Sequence, residues 1–208
     1  MDLVTQSVND FCRELASDSP APGGGSVAAL CAALAAGLSA MVAHLTLNKK
    51  GCESVHQLMK DLLDESLQLQ AFFLRAIDED AQSFNRVMSA MKLPKDSDEA
   101  KTFRHDQIQK ALKEASEVPL RVAEKAIKLF DFSEQLINEG NKNALTDALV
   151  CSMTARTAIL GACLNVRINL THLKDEKYVA ITKLRLRQLE DLARFKESVI
   201  LNMTSFDD

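Results

Sequence analysis

Glycine and proline are rare in this chain of 208 residues, and almost half of them fall in one short segment. The sequence has seven glycines and four prolines, and five of these eleven residues lie between positions 20 and 25. Elsewhere few residues terminate a helix, and no run alternates with the two-residue period of a strand. We therefore predict an all-α fold, a single-domain antiparallel helical bundle that covers residues 1–208.

The expected helix boundaries follow from caps and breaks in the sequence. Asp2 is a candidate cap for the first helix, and Ser26 is expected to cap the second. Pro119 should kink or divide the fourth helix, because proline lacks the N–H that a helix interior needs. Gly140-Asn141 indicates a C-terminal cap. The predicted helices cover about residues 2–17, 26–47, 53–91, 98–130, 133–139, 143–172 and 176–204.

Composition narrows the class of protein and its partners. The net charge is −4, so there is no surplus of basic residues to neutralise a phosphate backbone, and we expect no nucleic-acid partner. The first residues lack the basic and apolar regions of a signal peptide. Residues 27–47 are long and apolar enough to span a membrane. They are poor in leucine and isoleucine, however, so we expect a buried helix and no membrane contact.

The cysteines and histidines predict neither a disulfide framework nor a metal site. The number of cysteines is odd and no CxxC occurs, which is typical of reduced, buried cysteines in a cytoplasmic protein. The four histidines form no HExxH motif and no cluster with cysteine, so we expect no metal cofactor. The cysteines are Cys12, Cys31, Cys52, Cys151 and Cys163.

One acidic residue lies on the apolar stripe of the predicted third helix. Asp80 follows Ile77 by three residues and precedes Phe84 by four, whereas Asp78 and Glu79 point to other sides. A carboxylate in a buried stripe is costly unless it is paired or neutral, and that cost is tolerated most often at functional sites. The alternative is that Asp80 lies at the edge of the stripe beside a lysine or arginine. The apolar stripe is Leu58, Leu62, Leu69, Phe73, Ile77, Phe84, Val87 and Met91.

A face of the predicted sixth helix is small in its middle and polar at both ends. Small residues allow a neighbouring helix or a flat ligand to approach closely. The asparagines on this face have an alternative role as partners of nearby backbone groups, and Asp147 near the N-terminus is also favoured by the helix dipole. The residues of this face are Asp147, Cys151, Ala155, Ala158, Ala162, Asn165 and Asn169.

The triple glycine precedes the second helix directly. Gly23, Gly24 and Gly25 allow unusual backbone freedom, and a glycine loop that leads into a helix N-terminus presents N–H donors to an anion. The segment is neither a P-loop nor a dinucleotide-binding motif, because the lysine and the preceding strand are absent. A flexible linker is the alternative interpretation.

The segment PAPGGGSVAALCAALAAGLSAMVAHLT, residues 20–46, resembles the cyclodeaminase domain of formiminotransferase-cyclodeaminase and the related methenyltetrahydrofolate cyclohydrolases. The similarity extends over nearly the whole chain. Further matching segments are DEDAQSF at 78–84, LPK at 93–95, VPL at 118–120, Gly140-Asn141, Thr146-Asp147 and NVRINL at 165–170. Thr146 stands where the family often has serine, which keeps the hydroxyl.

The resemblance implies a homodimeric helical enzyme that binds folate between helices, without a cofactor. It implies that 5-formiminotetrahydrofolate is converted to 5,10-methenyltetrahydrofolate and ammonia, in histidine degradation. Asp80 is then the general base and acid, and Asp147 orients the pterin or steadies the cationic carbon. The implied substrate contacts are Asn143, Asn165 and Asn169 at the pterin edge, the amides of Gly23, Gly24, Gly25 and Ser26 at a carboxylate or the pterin cleft, and Lys49 and Lys50 at a polyglutamate tail. The two lysines are equally well explained as a solvated helix end.

Two alternatives remain open at the level of sequence. A methenyltetrahydrofolate cyclohydrolase would use the same pocket to add water to the methenyl carbon. A non-catalytic helical assembly module would keep the helices without binding folate. Because no formiminotransferase domain is present in the sequence, transfer of substrate from such an activity would require a separate protein.

Overall fold

The computed structural model describes residues 2–204 as a bundle of α-helices without β-strands in that range. Three short 3-10 turns, Leu3–Thr5, Glu53–Val55 and Lys142–Ala144, precede helices. The all-α prediction is confirmed. The helices are α1 (Val8–Leu15), α2 (Gly24–Leu47), α3 (His56–Met91), α4 (Asp98–Ala126), α5 (Lys128–Glu139), α6 (Leu145–Leu170) and α7 (Glu176–Leu201).

Four helices form the centre of the bundle, with α2 and α4 on opposite sides and α3 and α6 between them. Each neighbouring pair is antiparallel. For example, Ser39 in the middle of α2 contacts Ser66 of α3 with 2.8 Å between their hydroxyl oxygens. Ser26, near the start of α2, contacts Asp80, which comes later in α3. Asn169 near the end of α6 likewise donates to the carbonyl oxygen of Ala115 in α4. The two ends of the bundle therefore carry different sets of loops and helix termini.

The alanine-rich sequences allow α2 and α6 to pack closely. Ala32, Ala36 and Ala158 are fully buried, and a Cβ placed on Gly161 of α6 would lie 3.4 Å from the Cβ of Ala28. The thiol of Cys151 reaches the carbonyl oxygen of Ala35 at 3.1 Å. Small side chains thus bring two backbones together, as the small middle of the α6 face predicted.

The hairpin of α3 and α4 extends past the end of this four-helix centre. Asp80 lies level with the first turn of α2, so the eleven residues of α3 beyond it project by about 16 Å. A separate small cluster holds the projecting helices together, and Leu173 packs against it. Its buried members are Val87, Ala90, Ala111, Leu112 and Ala115.

Several predicted boundaries are wrong by part of a turn or more. The first helix is α1, which Ser7 caps by accepting from the Asp10 N–H, and Asp2 makes no side-chain cap bond. Helix α2 begins at Gly24, so Ser26 lies within its first turn. Pro119 does not divide α4. The break falls instead at Ile127, between α4 and α5.

Two helices pass a length and hydropathy test for membrane spans, Gly24–Leu47 and Lys142–Leu170. In this fold 61% and 50% of their apolar windows are buried, as is usual for core helices of soluble proteins. The rest forms an exposed apolar surface that we call the α2–α6 face. It comprises Leu34, Met41, Leu45, Val150, Met153, Leu164 and Ile168.

The cysteines are free thiols in the described chain, but they are not uniformly buried. Cys151 and Cys163 are buried, and burial raises their pKa values to about 11 and about 12. Cys31 and Cys52 are half-buried, whereas Cys12 is exposed. The prediction of buried cysteines is therefore wrong for Cys12.

Candidate active site

A cavity of about 280 Å³ lies at the end of the bundle where α2 begins and α6 ends. Four helices and the loop before α2 line it, so its shape depends on the whole bundle. Its polar side chains are one carboxylate, one hydroxyl and two amides. The lining comprises Pro20, Ala21, Gly23, Gly24, Gly25, Asp80, Ala81, Ser83, Phe84, Ala115, Asn165, Ile168 and Asn169.

Among the described residues 2–204 that line this cavity, Asp80 alone has an ionisable side chain, and it faces the N-terminus of α2. The hydroxyl oxygen of Ser26 lies 3.1 Å from Asp80 Oδ2 and also 3.1 Å from the carbonyl oxygen of Ile77. Ser26 is fully buried, so its single hydroxyl proton is available only to these two acceptors. The carboxylate is therefore oriented by the first turn of α2.

Gly25 makes room for this carboxylate. A Cβ placed on Gly25 would lie 2.1 Å from Asp80 Oδ1, far inside contact distance. A Cβ placed on Gly24 would lie 3.1 Å from the side chain of Asn165, which a small shift of that side chain would relieve, whereas Gly23 has no atom within 4 Å of such a Cβ. Among the three glycines, close approach of a side chain thus requires glycine at position 25, and Gly23 is the N-cap in an extended conformation.

Partial burial and hydrogen bonds act on Asp80 in opposite directions. Burial raises the pKa of Asp80, while hydrogen bonds from the hydroxyl and the backbone N–H of Ser26 lower it, and burial is the larger effect. No lysine or arginine of the described chain forms an ion pair with it. The carboxyl therefore holds a proton more readily than an exposed aspartate does, which suits a group that must take up and release one.

Two asparagines near the end of α6 form the opposite wall. Asn165 donates through Nδ2 to the carbonyl oxygen of Gly161 at 2.9 Å, and Asn169 donates through Nδ2 to that of Ala115 at 3.0 Å. Both side chains are half-buried. These bonds fix the amide planes and use a donor of each, which leaves the side-chain oxygens as acceptors at the cavity wall.

The remaining predicted site residues lie at the other end of the bundle. Asp147 precedes Asn165 by eighteen residues on α6, about 27 Å along the helix, and Asn143 lies in the turn before α6. Lys49, just beyond the end of α2, donates to Asn141 at 2.9 Å, and Lys50 follows it. Within one chain these four residues lie apart from the Asp80 cavity, because residues that share a face of a long helix need not share a site, and their predicted roles stay predictions.

The side chain of Ser26 has a role that the sequence did not suggest. It contacts Asp80 and a backbone carbonyl in the protein interior, so it orients the carboxylate. The predicted contact of the Ser26 amide with a ligand stays a prediction. Conversely, Phe84, Ala115 and Ile168 line the cavity and were not proposed as site residues. For Phe84 the signal was present in the sequence, since it lies one turn after Asp80 on the same stripe.

The cavity contains no cluster of metal ligands. Within residues 2–204, no three His, Cys, Asp or Glu side chains are placed together to hold a metal ion. The arrangement of one carboxyl group, two fixed amides and apolar walls suits the binding of a flat, partly apolar molecule with a polar edge. It also places one proton-transfer group against that molecule.

Comparison with known proteins decides the family. The sequence model described as Formiminotransferase-cyclodeaminase matches residues 7–188. The chain belongs to this family. Methenyltetrahydrofolate cyclohydrolase of Methylorubrum extorquens is 37% identical over 187 residues, which is 90% of this chain and 88% of that protein.

Two further members of the formiminotransferase-cyclodeaminase family connect the sequence with a longer protein and with a solved structure. The formimidoyltransferase-cyclodeaminase of Rattus norvegicus is 33% identical over 96% of this chain, but the match spans 37% of the rat protein. The crystal structure of formiminotetrahydrofolate cyclodeaminase from Thermotoga maritima has a TM-score of 0.86, with 29% identity and 97% of both chains covered. The helical fold is therefore that of this family.

Proposed function

We propose that this chain is a formimidoyltetrahydrofolate cyclodeaminase, which converts 5-formiminotetrahydrofolate to 5,10-methenyltetrahydrofolate and ammonia. The observation that carries the proposal is the placement of Asp80, a carboxyl group of raised pKa in a cavity walled by fixed amides and apolar side chains. The names of the relatives supply the substrate class, and the cavity supplies a group able to perform the chemistry.

The reaction requires one proton to move between two nitrogens. N10 of the substrate attacks the carbon of the formimino group, whose terminal nitrogen is protonated. An N10–C bond forms, and the N10 proton must leave. The bond from this carbon to the terminal nitrogen then breaks, and that nitrogen departs as ammonia when it receives a proton. Asp80 accepts the first proton as a general base and returns it as a general acid. Charge balances, because the cationic amidinium becomes the cationic methenyl bridge.

No electron transfer is involved, since the carbon keeps its oxidation level throughout. We therefore propose that the chain needs neither a metal nor a redox cofactor. The side-chain oxygens of Asn165 and Asn169 are placed to accept hydrogen bonds from the amino edge of a pterin, and Phe84 and Ile168 supply apolar contact. Gly23 and Gly24 also line the cavity, and because they have no side chains nothing projects from that part of the wall.

A cyclohydrolase activity is the second candidate, and the Methylorubrum extorquens relative favours it because its match covers most of both chains. In this reaction water adds to the methenyl carbon, and one of the two C–N bonds of that carbon then breaks. Asp80 would remove a proton from the attacking water and return it to the departing ring nitrogen, while the hydroxyl proton leaves to solvent as the formyl C=O forms. The two activities are separated by measuring ammonia release from 5-formiminotetrahydrofolate and loss of methenyl absorbance from 5,10-methenyltetrahydrofolate on the same purified protein.

Substitution of the central carboxyl tests the proposed role of Asp80. We expect Asp80→Asn to lower kcat by at least a hundredfold, about 2.7 kcal/mol of barrier, while folate binding is retained. Glu79→Gln is the matched control, because Glu79 is adjacent but pairs with Arg121 on the outer surface. Turnover by Asp80→Asn within tenfold of the wild type would exclude Asp80 as the proton-transfer group.

We also propose that the chain forms a homodimer through the α2–α6 face. Residues 24–47 contain no aspartate, glutamate, lysine or arginine, although α2 is exposed along one side. Two adjacent helices about 36 Å long and roughly 20 Å wide together offer about 700 Å², close to the ~800 Å² per partner of a standard interface. A second copy is the natural occupant, because one such face can pair with itself.

The proposed dimer gives Asp147 a place in the reaction. Ile168 belongs both to the α2–α6 face and to the Asp80 cavity, so a partner on this face would contact the cavity rim. If a two-fold axis crosses α6 near its middle, Asp147 of the partner subunit lies level with residue 167. The partner's Asp147 would then steady the cationic carbon opposite Asp80.

We further propose that the chain works in the cytoplasm and receives its substrate from a formiminotransferase. The match to the rat relative, whose name includes a transferase, covers only part of that protein. Reduced thiols suit this compartment.

A further inference from the structure

A strip of exposed apolar side chains follows Asp80 along the projecting part of α3. On α3, Phe84, Met88 and Met91 follow Asp80 at spacings of four, four and three residues, so they lie along one side of the helix. Their exposed fractions are 39%, 37% and 40%, which is unusual for large apolar side chains in a row. They form an apolar strip that leads away from the cavity.

The neighbouring helix α4 brings an arginine to the far end of this strip. Ala115 lines the Asp80 cavity, and Arg104 precedes it by eleven residues, which is three turns of α4. Met91 follows Asp80 by the same number of residues on antiparallel α3. Arg104 and Met91 are therefore paired at the far end of the strip, as Asp80 and Ala115 are at the cavity. The contact is direct, because Arg104 Nε and Nη2 donate to the carbonyl oxygen of Met91 at 3.2 and 3.0 Å.

Arg104 is a fixed cation without a compensating acid. Its two bonds to one carbonyl oxygen hold the guanidinium at the end of α3 and leave three N–H donors free. Within residues 2–204 no carboxylate lies within ion-pair distance of it, whereas Arg86 on the same hairpin pairs with Glu114. A positioned arginine with free donors at the end of an apolar strip suits a carboxylate carried on an apolar stem.

We infer that Arg104 binds the glutamate carboxylate of the substrate, with the p-aminobenzoyl ring against Phe84 and Met88. This inference rests on the proposed folate activity. From N10 the p-aminobenzoyl ring, its amide and the glutamate extend over a length comparable to two to three helical turns, about 11–16 Å. That length matches the path from the Asp80 cavity to Arg104. Lys49 and Lys50 are at the opposite end of the bundle and cannot serve this arm in the same chain.

The test compares two substrates on matched variants. One is 5-formiminotetrahydrofolate, and the other is its analogue with a primary amide in place of the glutamate. For Arg104→Gln we expect KM for the first substrate to rise at least tenfold, with kcat within threefold, and KM for the amide analogue to stay unchanged. Arg104→Lys should recover part of the loss, since it keeps the charge. Arg86→Gln is the control and should change neither KM.

A structural role for Arg104 would give a different result. If its bond to the Met91 carbonyl only holds the hairpin together, Arg104→Gln raises KM for both substrates alike, and the inference is overturned. Unchanged KM for both substrates also overturns it. Thermal unfolding of Arg104→Gln shows whether the fold is retained. Failure of the proposed function is distinguished by the wild type, which would then turn over neither substrate.

Discussion

The carboxylate of Asp80 fills the position that a side chain at residue 25 would take, so it packs directly against the backbone of Gly25. The close approach brings Asp80 to the first turn of α2, where it meets Ser26. Any larger residue at position 25 must move the carboxylate or the helix. The glycine is therefore a requirement of the site, even though alanine has the higher intrinsic helix propensity.

Substitution of individual glycines distinguishes the close packing of Gly25 against Asp80 from the backbone flexibility of the glycine loop. We expect Gly25→Ala to lower kcat/KM at least a hundredfold, because the new Cβ would lie 2.1 Å from Asp80 Oδ1 and must displace it. Gly23→Ala should stay within threefold of the wild type, since nothing lies within 4 Å and the backbone there is extended. Steady-state kinetics on both variants is the measurement. Equal losses would mean that the loop acts through its flexibility.

Ser26 controls the proton affinity of Asp80. Its hydrogen bonds lower the pKa of Asp80 against the effect of burial, so Ser26→Ala should raise that pKa further. We expect the acid limb of the profile of kcat/KM against pH to move to higher pH. Ser83→Ala is the control, because the Ser83 hydroxyl donates to the backbone oxygen of residue 80 and not to the carboxylate. An unshifted limb in Ser26→Ala would contradict this role.

The same carboxyl group reduces stability at neutral pH. Burial raises the pKa of Asp80 in the folded state, so the folded state binds the proton more tightly than the unfolded chain does. Stability falls as the pH rises from the ordinary aspartate value of about 3.9 through the folded value, and it remains lower at pH 7.

Removal of the charge tests this cost. We therefore expect Asp80→Asn to raise Tm at pH 7 by a few degrees and to lose that gain near pH 3. Calorimetric unfolding at both pH values checks the sign, with Glu79→Gln as the exposed control. A gain of equal size at both pH values would show that charge is not the cause.

At the level of single residues, the sequence predicted the catalytic candidate better than its surroundings. Helical spacing alone selected Asp80 over Asp78, and Asp78 indeed turns aside to accept from the backbone N–H of Leu3 at 2.6 Å. The role of Ser26 was not predictable, because it depends on a contact between residues 54 positions apart in the chain. Periodicity identifies a face, whereas a site requires knowledge of the neighbouring helix.

At the level of helices, long uninterrupted segments were predicted well and short ones poorly. Helices α3, α6 and α7 agree with the sequence to within a few residues, and two of their ends carry a clear signal, since Pro94 follows α3 and Asp175 caps the start of α7. The first helix is shorter than predicted and starts at Val8, because Leu3–Thr5 forms a separate 3-10 turn whose Leu3 N–H donates to Asp78. The break at Ile127 carries no glycine or proline signal.

The apolar stripe on α3 is buried along the centre of the bundle but exposed near the end of the helix, beside the candidate active site. Its central members Phe73 and Ile77 are in the core, but Phe84 and Met91 near its end are exposed because α2 does not extend that far. Sequence periodicity cannot show where the neighbouring helix stops. The unequal helix lengths leave this end of the stripe exposed, and the exposed strip continues along α3 from Asp80.

At the level of the whole molecule, the two ends of the bundle carry two sets of candidate residues. Asp80, Asn165 and Asn169 are at one end, while Asp147 is at the other. In a single chain these sets cannot act on one substrate, since about 27 Å of helix separates Asp147 from Asn165. Antiparallel pairing of two copies would place opposite ends side by side.

Mixed dimers test this arrangement directly. We expect Asp80→Asn and Asp147→Ala to be nearly inactive alone, and co-expression of the two to restore about a quarter of wild-type activity, because half of the dimers are mixed and each has one intact site. Adding Leu164→Glu to both chains should abolish the restored activity and give a monomer by sedimentation, since a charge then lies on the α2–α6 face. If co-expression restores nothing while the wild type is dimeric, Asp147 does not act across the interface.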